Sequence, residues 1–112
     1  MSAITSHVLD TSLGKPAVGV AVSLSVLAAG AFQVLGSGVT DDDGRVKDLL
    51  SGAPLSVAIY RLVFETGAHY RLAAQASFYE RVEIHFHVTD ASQHYHVPLL
   101  LSPFGYSTYR GS

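Results

Sequence analysis

Cysteine is absent from the 112-residue sequence. That excludes disulfides and thiolate chemistry, and leaves the redox compartment open. Charge is also scarce: Asp, Glu, Lys and Arg make up 14% of residues, against 48% hydrophobic. Such a chain folds rather than staying disordered. Its charge is low for a soluble monomer of this size, so subunit contacts are expected. No basic patch stands out. The seven Lys and Arg are spread from Lys15 to Arg110 and the formal net charge is −2, which gives nucleic-acid binding no footprint. No apolar run reaches the roughly 18 residues of a membrane-spanning helix. Met1-Ser2-Ala3-Ile4-Thr5-Ser6 has neither a basic start nor a long apolar stretch, and the other end is not a Ser-Lys-Leu address. A cytoplasmic protein without a leader is therefore expected.

What the sequence does have is period-two alternation. Val18, Val20, Val22, Leu24 and Val26 alternate with small or polar residues, as do Leu55, Val57 and Ile59. Val82, Ile84, Phe86 and Val88 alternate with Glu83, His85, His87 and Thr89, and Tyr95, Val97, Leu99 and Leu101 form a further row. Alternation puts one row in a core and the other outward, as in strands. Turn signals separate the runs at Leu13-Gly14-Lys15-Pro16, Leu35-Gly36-Ser37-Gly38, Asp41-Asp42-Asp43-Gly44 and Ser51-Gly52-Ala53-Pro54. The expectation is an all-β sandwich of seven to eight strands in one domain over residues 1–112. Leu72-Ala73-Ala74-Gln75-Ala76-Ser77 lacks alternation and is rich in helix formers, so one short helix is expected there. The aspartate run reads as a turn closed by Gly44; a calcium loop would need more widely spaced oxygen ligands.

Six histidines remain. Residues two apart on a strand share a face, roughly 6–7 Å apart, so His85 pairs with His87 and His94 with His96. Such pairs can ligate zinc, with His7 as a third ligand, or can simply face solvent. Pro98 suggests an edge strand or a bulge. The chain finishes on Tyr109-Arg110-Gly111-Ser112, which composition alone reads as a loose tail.

Two segments carry more. His7-Val8-Leu9-Asp10-Thr11-Ser12-Leu13-Gly14-Lys15-Pro16-Ala17 resembles the first signature of transthyretin-like proteins. Tyr95-His96-Val97-Pro98-Leu99-Leu100-Leu101-Ser102-Pro103-Phe104-Gly105-Tyr106-Ser107 resembles the second. The resemblance spans essentially the whole chain and implies a transthyretin-like (prealbumin-like) β-sandwich. It also implies a homotetramer with sites in a channel where two dimers meet, and that His85 and His87 face a subunit boundary. The family has a hormone-binding branch and a branch that hydrolyses 5-hydroxyisourate, and fold alone does not separate them. His7, Arg45, His96 and the Tyr109-Arg110-Gly111-Ser112 ending resemble the hydrolase branch.

The resemblance implies catalytic roles for His7, Arg45 and His96, and substrate binding by Tyr109, Arg110, Gly111 and Ser112. Opening an activated cyclic amide needs a base for water, which histidine supplies near neutral pH. Either His7 or His96 fits that role, the other orienting the water or protonating the leaving nitrogen. Arg45 offers a permanent charge and planar fork to an oxyanion. Tyr109 and Ser112 add hydrogen bonds, and Arg110 ties the tail down or contacts the ring. This chemistry requires no metal and no cofactor.

Overall fold

The computed structural model describes residues 3–112. The first two positions of the leader-free reading, Met1 and Ser2, lie outside the described residues. Nine strands and one helix follow in chain order: β1 Ile4–Asp10, β2 Lys15–Pro16, β3 Ala21–Ala28, β4 Ala31–Val39, β5 Arg45–Val46, β6 Ala58–Phe64, α1 Thr66–Leu72, β7 Val82–Val88, β8 Tyr95–Ser102 and β9 Gly105–Thr108. They form a sandwich of two sheets. One runs β2-β1-β8-β9 with β5 also paired to β1, and the other runs β4-β3-β6-β7. β1 and β8 are parallel; the other pairs are antiparallel.

Alternation explains the core. Ile4 and Val8 of β1 and Tyr95, Val97, Leu99 and Leu101 of β8 are buried. They belong to one apolar cluster with Val22 and Leu24 of β3, Tyr60, Leu62 and Phe64 of β6, and Val82 and Val88 of β7. Each fully buried side chain of this size contributes about 1.5–3 kcal/mol. Asp10, also buried, accepts from the N–H groups of Ser12 and Leu13 and from the Ser12 hydroxyl, at 2.9, 3.1 and 2.6 Å. These bonds fix the turn that leaves β1.

Several expectations need correction. The helix lies at Thr66–Leu72, not 72–77. Thr66, Gly67 and Tyr70 give it a buried face, whereas Ala73 to Ala76 are exposed and Ala74 turns to a positive φ of 54°. Local propensity without a face to bury does not hold a short helix. In β6 the inward row is Tyr60, Leu62 and Phe64; Val57 of the expected row is 66% exposed and precedes the strand. Val18 is likewise exposed, cut off from β3 by Gly19 at φ 83°.

Leu35-Gly36-Ser37-Gly38 is not a turn. It lies within β4, beside a register shift opposite Leu24 and Ser25. Gly36 is there because the Leu49 carbonyl crosses where a Cβ would stand. The reversal falls instead at Ala29-Gly30, both at positive φ, as a two-residue hairpin requires.

Pro98 is on neither an edge nor a bulge: β8 lies between β1 and β9. The ladder to the C-terminal segment runs to Leu99↔Thr108 and resumes in the same register at His96↔Gly111. Pro98, which has no N–H, falls in the gap. Its carbonyl accepts the Thr108 hydroxyl at 2.7 Å. The aspartate run does form the expected turn. Asp41 Oδ1 accepts from the N–H groups of Asp43 and Arg45 at 2.9 and 3.0 Å, and Gly44 sits at φ 77°.

Candidate active site

Strand pairing gathers the candidate residues on the outward face of the first sheet. Along β1, Ser6 and Val8 point inward, leaving Thr5 and His7 half-buried on the other face. Arg45 pairs with His7, and His7 pairs with Pro98. The β8–tail register carries the same row on to Tyr109. One row thus crosses the sheet as Arg45, His7, Pro98 and Tyr109. The next row contains Thr5, His96 and Gly111. Cross-strand partners present their side chains to the same side of a sheet.

The Asp41–Gly44 turn delivers Arg45. Its guanidinium is exposed and has no hydrogen bond or ion pair among the described residues. His96 is half-buried, and its Nδ1 lies 2.8 Å from the Thr5 hydroxyl. The same hydroxyl lies 3.0 Å from Nε2 of exposed His94. Burial first, then the positive charge of Arg45 and the neighbouring His7 and His94, hold His96 below the usual histidine value; a hydrogen bond with the Thr5 backbone partly offsets this. The neutral imidazole is therefore favoured, and a neutral imidazole has a nitrogen lone pair to act as a base.

The tail is ordered beside His96. The Gly111 N–H donates to the His96 carbonyl at 2.8 Å. A Cβ on Gly111 would stand 2.6 Å from His96 Cδ2, so only glycine lets the chain lie against the ring. Tyr109 is exposed on the histidine face. Arg110 goes to the opposite face, its guanidinium 4.5 Å above the Tyr95 ring and donating to Gln93 Oε1 at 2.9 Å. Ser112 follows Gly111 and is exposed. His85 and His87 lie away from this group, exposed on the edge strand β7, with His85 5.3 Å from the Phe32 ring. Thr5 is the residue that sequence reasoning missed, although period two already placed it beside His7.

Comparison with known proteins decides the family. A family model described as the HIUase/Transthyretin family matches residues 4–111. The chain belongs to this family.

Among HIUase/Transthyretin relatives, 5-hydroxyisourate hydrolase 2 of Rhizobium meliloti is 46% identical, over 97% of this chain and 95% of that protein. The structure of Klebsiella pneumoniae 5-hydroxyisourate hydrolase superposes with a TM-score of 0.85 at 41% identity, covering 97% of this chain and 98% of that one. Sea bream transthyretin in complex with thyroxine superposes with a TM-score of 0.92 at 31% identity, covering 98% and 95%. The backbone fits the hormone binder at least as well as the hydrolase. Shape therefore cannot separate the branches of this family; side chains must. No helix among the described residues is long and apolar enough to cross a membrane.

Proposed function

We propose that this chain hydrolyses 5-hydroxyisourate to 2-oxo-4-hydroxy-4-carboxy-5-ureidoimidazoline, a step of urate breakdown in purine catabolism. The observation that carries the reading is the meeting of His7, Arg45 and His96 on one sheet face, with the glycine of the tail against His96. The hydrolase names of its relatives support the same reaction.

In this mechanism His96, whose surroundings favour the neutral imidazole, takes a proton from water. The water oxygen forms a bond to the activated carbonyl carbon. Arg45, free of other partners among the described residues, stabilises the oxyanion that develops. The ring C–N bond then breaks, and the leaving nitrogen receives a proton, with His7 placed one row away to supply or orient it. Tyr109 and Ser112 hold the flat substrate by hydrogen bonds, while Arg110 anchors the tail through Tyr95 and Gln93. The catalytic cycle calls on no metal or cofactor.

The protein works as a cytoplasmic homotetramer in which the histidine faces of two dimers enclose the site. Half-buried Leu9 and Leu100 and exposed Tyr109 on that face support such a contact, as does the low charge content. Light scattering on a sizing column should return four copies; a monomer would contradict the enclosed channel.

Ultraviolet spectroscopy tests the activity. Urate is oxidised enzymatically and the decay of 5-hydroxyisourate is followed with and without catalytic amounts of this protein. Acceleration over the spontaneous decay supports the hydrolase. A protein that binds thyroxine and leaves the decay unchanged would belong with the carriers instead.

A further inference from the structure

Thr5 stands at the centre of a chain of three side chains. Its Oγ1 is 2.8 Å from Nδ1 of His96 and 3.0 Å from Nε2 of His94. A hydroxyl has a single proton. It can donate to one imidazole nitrogen and must accept from the other. The two neutral rings are therefore coupled in opposite senses. If His96 carries its proton on Nδ1, Oγ1 donates to a bare Nε2 on His94. If His94 carries its proton on Nε2, His96 has a bare Nδ1 and its proton on Nε2. Neither ring can change tautomer while the other stays fixed.

We propose that Thr5 is a positioning residue for the hydrolysis, holding His96 as the Nδ1–H tautomer with Nε2 bare as the base, and linking it to His94 as a proton outlet. This rests on the hydrolase reading above. The groups around the His96 ring make the outlet useful. His7 on β1, Arg45 on β5 and His94 before β8 disfavour a positive charge on it, a hydrogen bond with the Thr5 backbone favours one, and Gly111 of the tail packs on the ring without a charged side chain. His94, in contrast, is exposed.

The step balances. A water O–H bond breaks and its proton bonds to His96 Nε2, while the water oxygen bonds to the carbonyl carbon. The His96 Nδ1 proton passes to Oγ1, and the Oγ1 proton passes to His94 Nε2. Three bonds to hydrogen break and three form, with no oxidation or reduction. The positive charge ends on the exposed ring, which releases its Nδ1 proton to bulk water. As the ring C–N bond breaks, the His96 Nε2 proton passes to the leaving nitrogen and the relay runs back: the Oγ1 proton returns to His96 Nδ1, the His94 Nε2 proton to Oγ1, and bulk water reprotonates His94 Nδ1.

Nitrogen-15 shifts of the imidazoles in the intact wild-type protein test the tautomer without any substrate, and so independently of the hydrolase reading. His96 should appear as the Nδ1–H form, and Thr5→Val, which keeps the β-branched shape, should lose that single form. A wild-type His96 found as Nε2–H overturns the proposal. In the decay assay, Thr5→Val should lower kcat about tenfold or more with KM changed less than about threefold, and Thr5→Ser should restore most of the rate. His94→Gln should slow turnover in a way that added imidazole buffer repairs. A Thr5→Val protein with wild-type kcat and pH profile, or a Thr5→Ser protein as slow as Thr5→Val, would contradict the role.

Discussion

The main chain of Gly111 lies against the imidazole of His96, donating its N–H to the His96 carbonyl at 2.8 Å and leaving no room for a Cβ, which would stand 2.6 Å from Cδ2. Any side chain at 111 must displace either the tail or the ring. Gly111→Ala should therefore lower kcat about tenfold or more while the melting temperature barely moves, since Gly111 lies outside the apolar core. Steady-state rates and a thermal melt check this. Wild-type turnover in Gly111→Ala would place the tail outside the chemistry.

The acid side of the rate profile should report His96. Its value is held below the ordinary 6.5, first by burial and then by Arg45, His7 and His94. The base must be unprotonated, so kcat/KM should fall as pH drops through a midpoint below that of free histidine. Arg45→Gln removes one cause of the depression and should move the midpoint upward as well as slowing the reaction. A midpoint that stays fixed, or moves down, would separate Arg45 from His96.

Arg45 is exposed and unpartnered among the described residues, so its loss should cost little stability. Arg45→Ala is expected to reduce kcat on the order of 10²-fold. Arg45→Lys keeps the charge but not the planar fork and should recover part of that loss. Full activity in Arg45→Ala would remove the arginine from the mechanism.

Away from the site, Tyr70 is 3% exposed and its hydroxyl has no hydrogen-bond partner among the described residues. Burial, helped by the nearby Asp10 charge, pushes its ionisation up to about 12. Removing a buried, unpaired hydroxyl relieves a desolvation cost, so Tyr70→Phe should stabilise the fold by about 1 kcal/mol. Denaturant unfolding measures it; a clear loss of stability would mean that the hydroxyl is satisfied in solution.

The rows of β7 and β8 were legible because each strand carries an apolar residue at every second position and turns that row to the core. The β6 row was not. Leu55 to Ile59 alternates just as well as Tyr60 to Phe64, and only packing against β3 and β7 selects the second set. Gly36 misled for a related reason: a glycine that makes room for the Leu49 carbonyl looks, in sequence, like one that makes a turn. At the site, His7, Arg45 and His96 stand out through their signatures, but their common face depends on the registers β5–β1 and β1–β8. The β1–β8 register joins residues some 90 positions apart (Thr5 Oγ1 and His96 Nδ1, for instance) and the β5–β1 register residues about 40 apart, and no local pattern encodes either. That is why Thr5 passed unnoticed.

The central claim is that the face bearing His7, Arg45 and His96 performs the hydrolysis. The most direct measurement is the rate of 5-hydroxyisourate loss with wild type, His7→Ala and His96→Ala at equal concentration, with assembly checked in parallel. Wild type should accelerate the decay, and each substitution should reduce kcat on the order of 10²-fold with the assembly unchanged. Near-full activity in both variants would contradict the account.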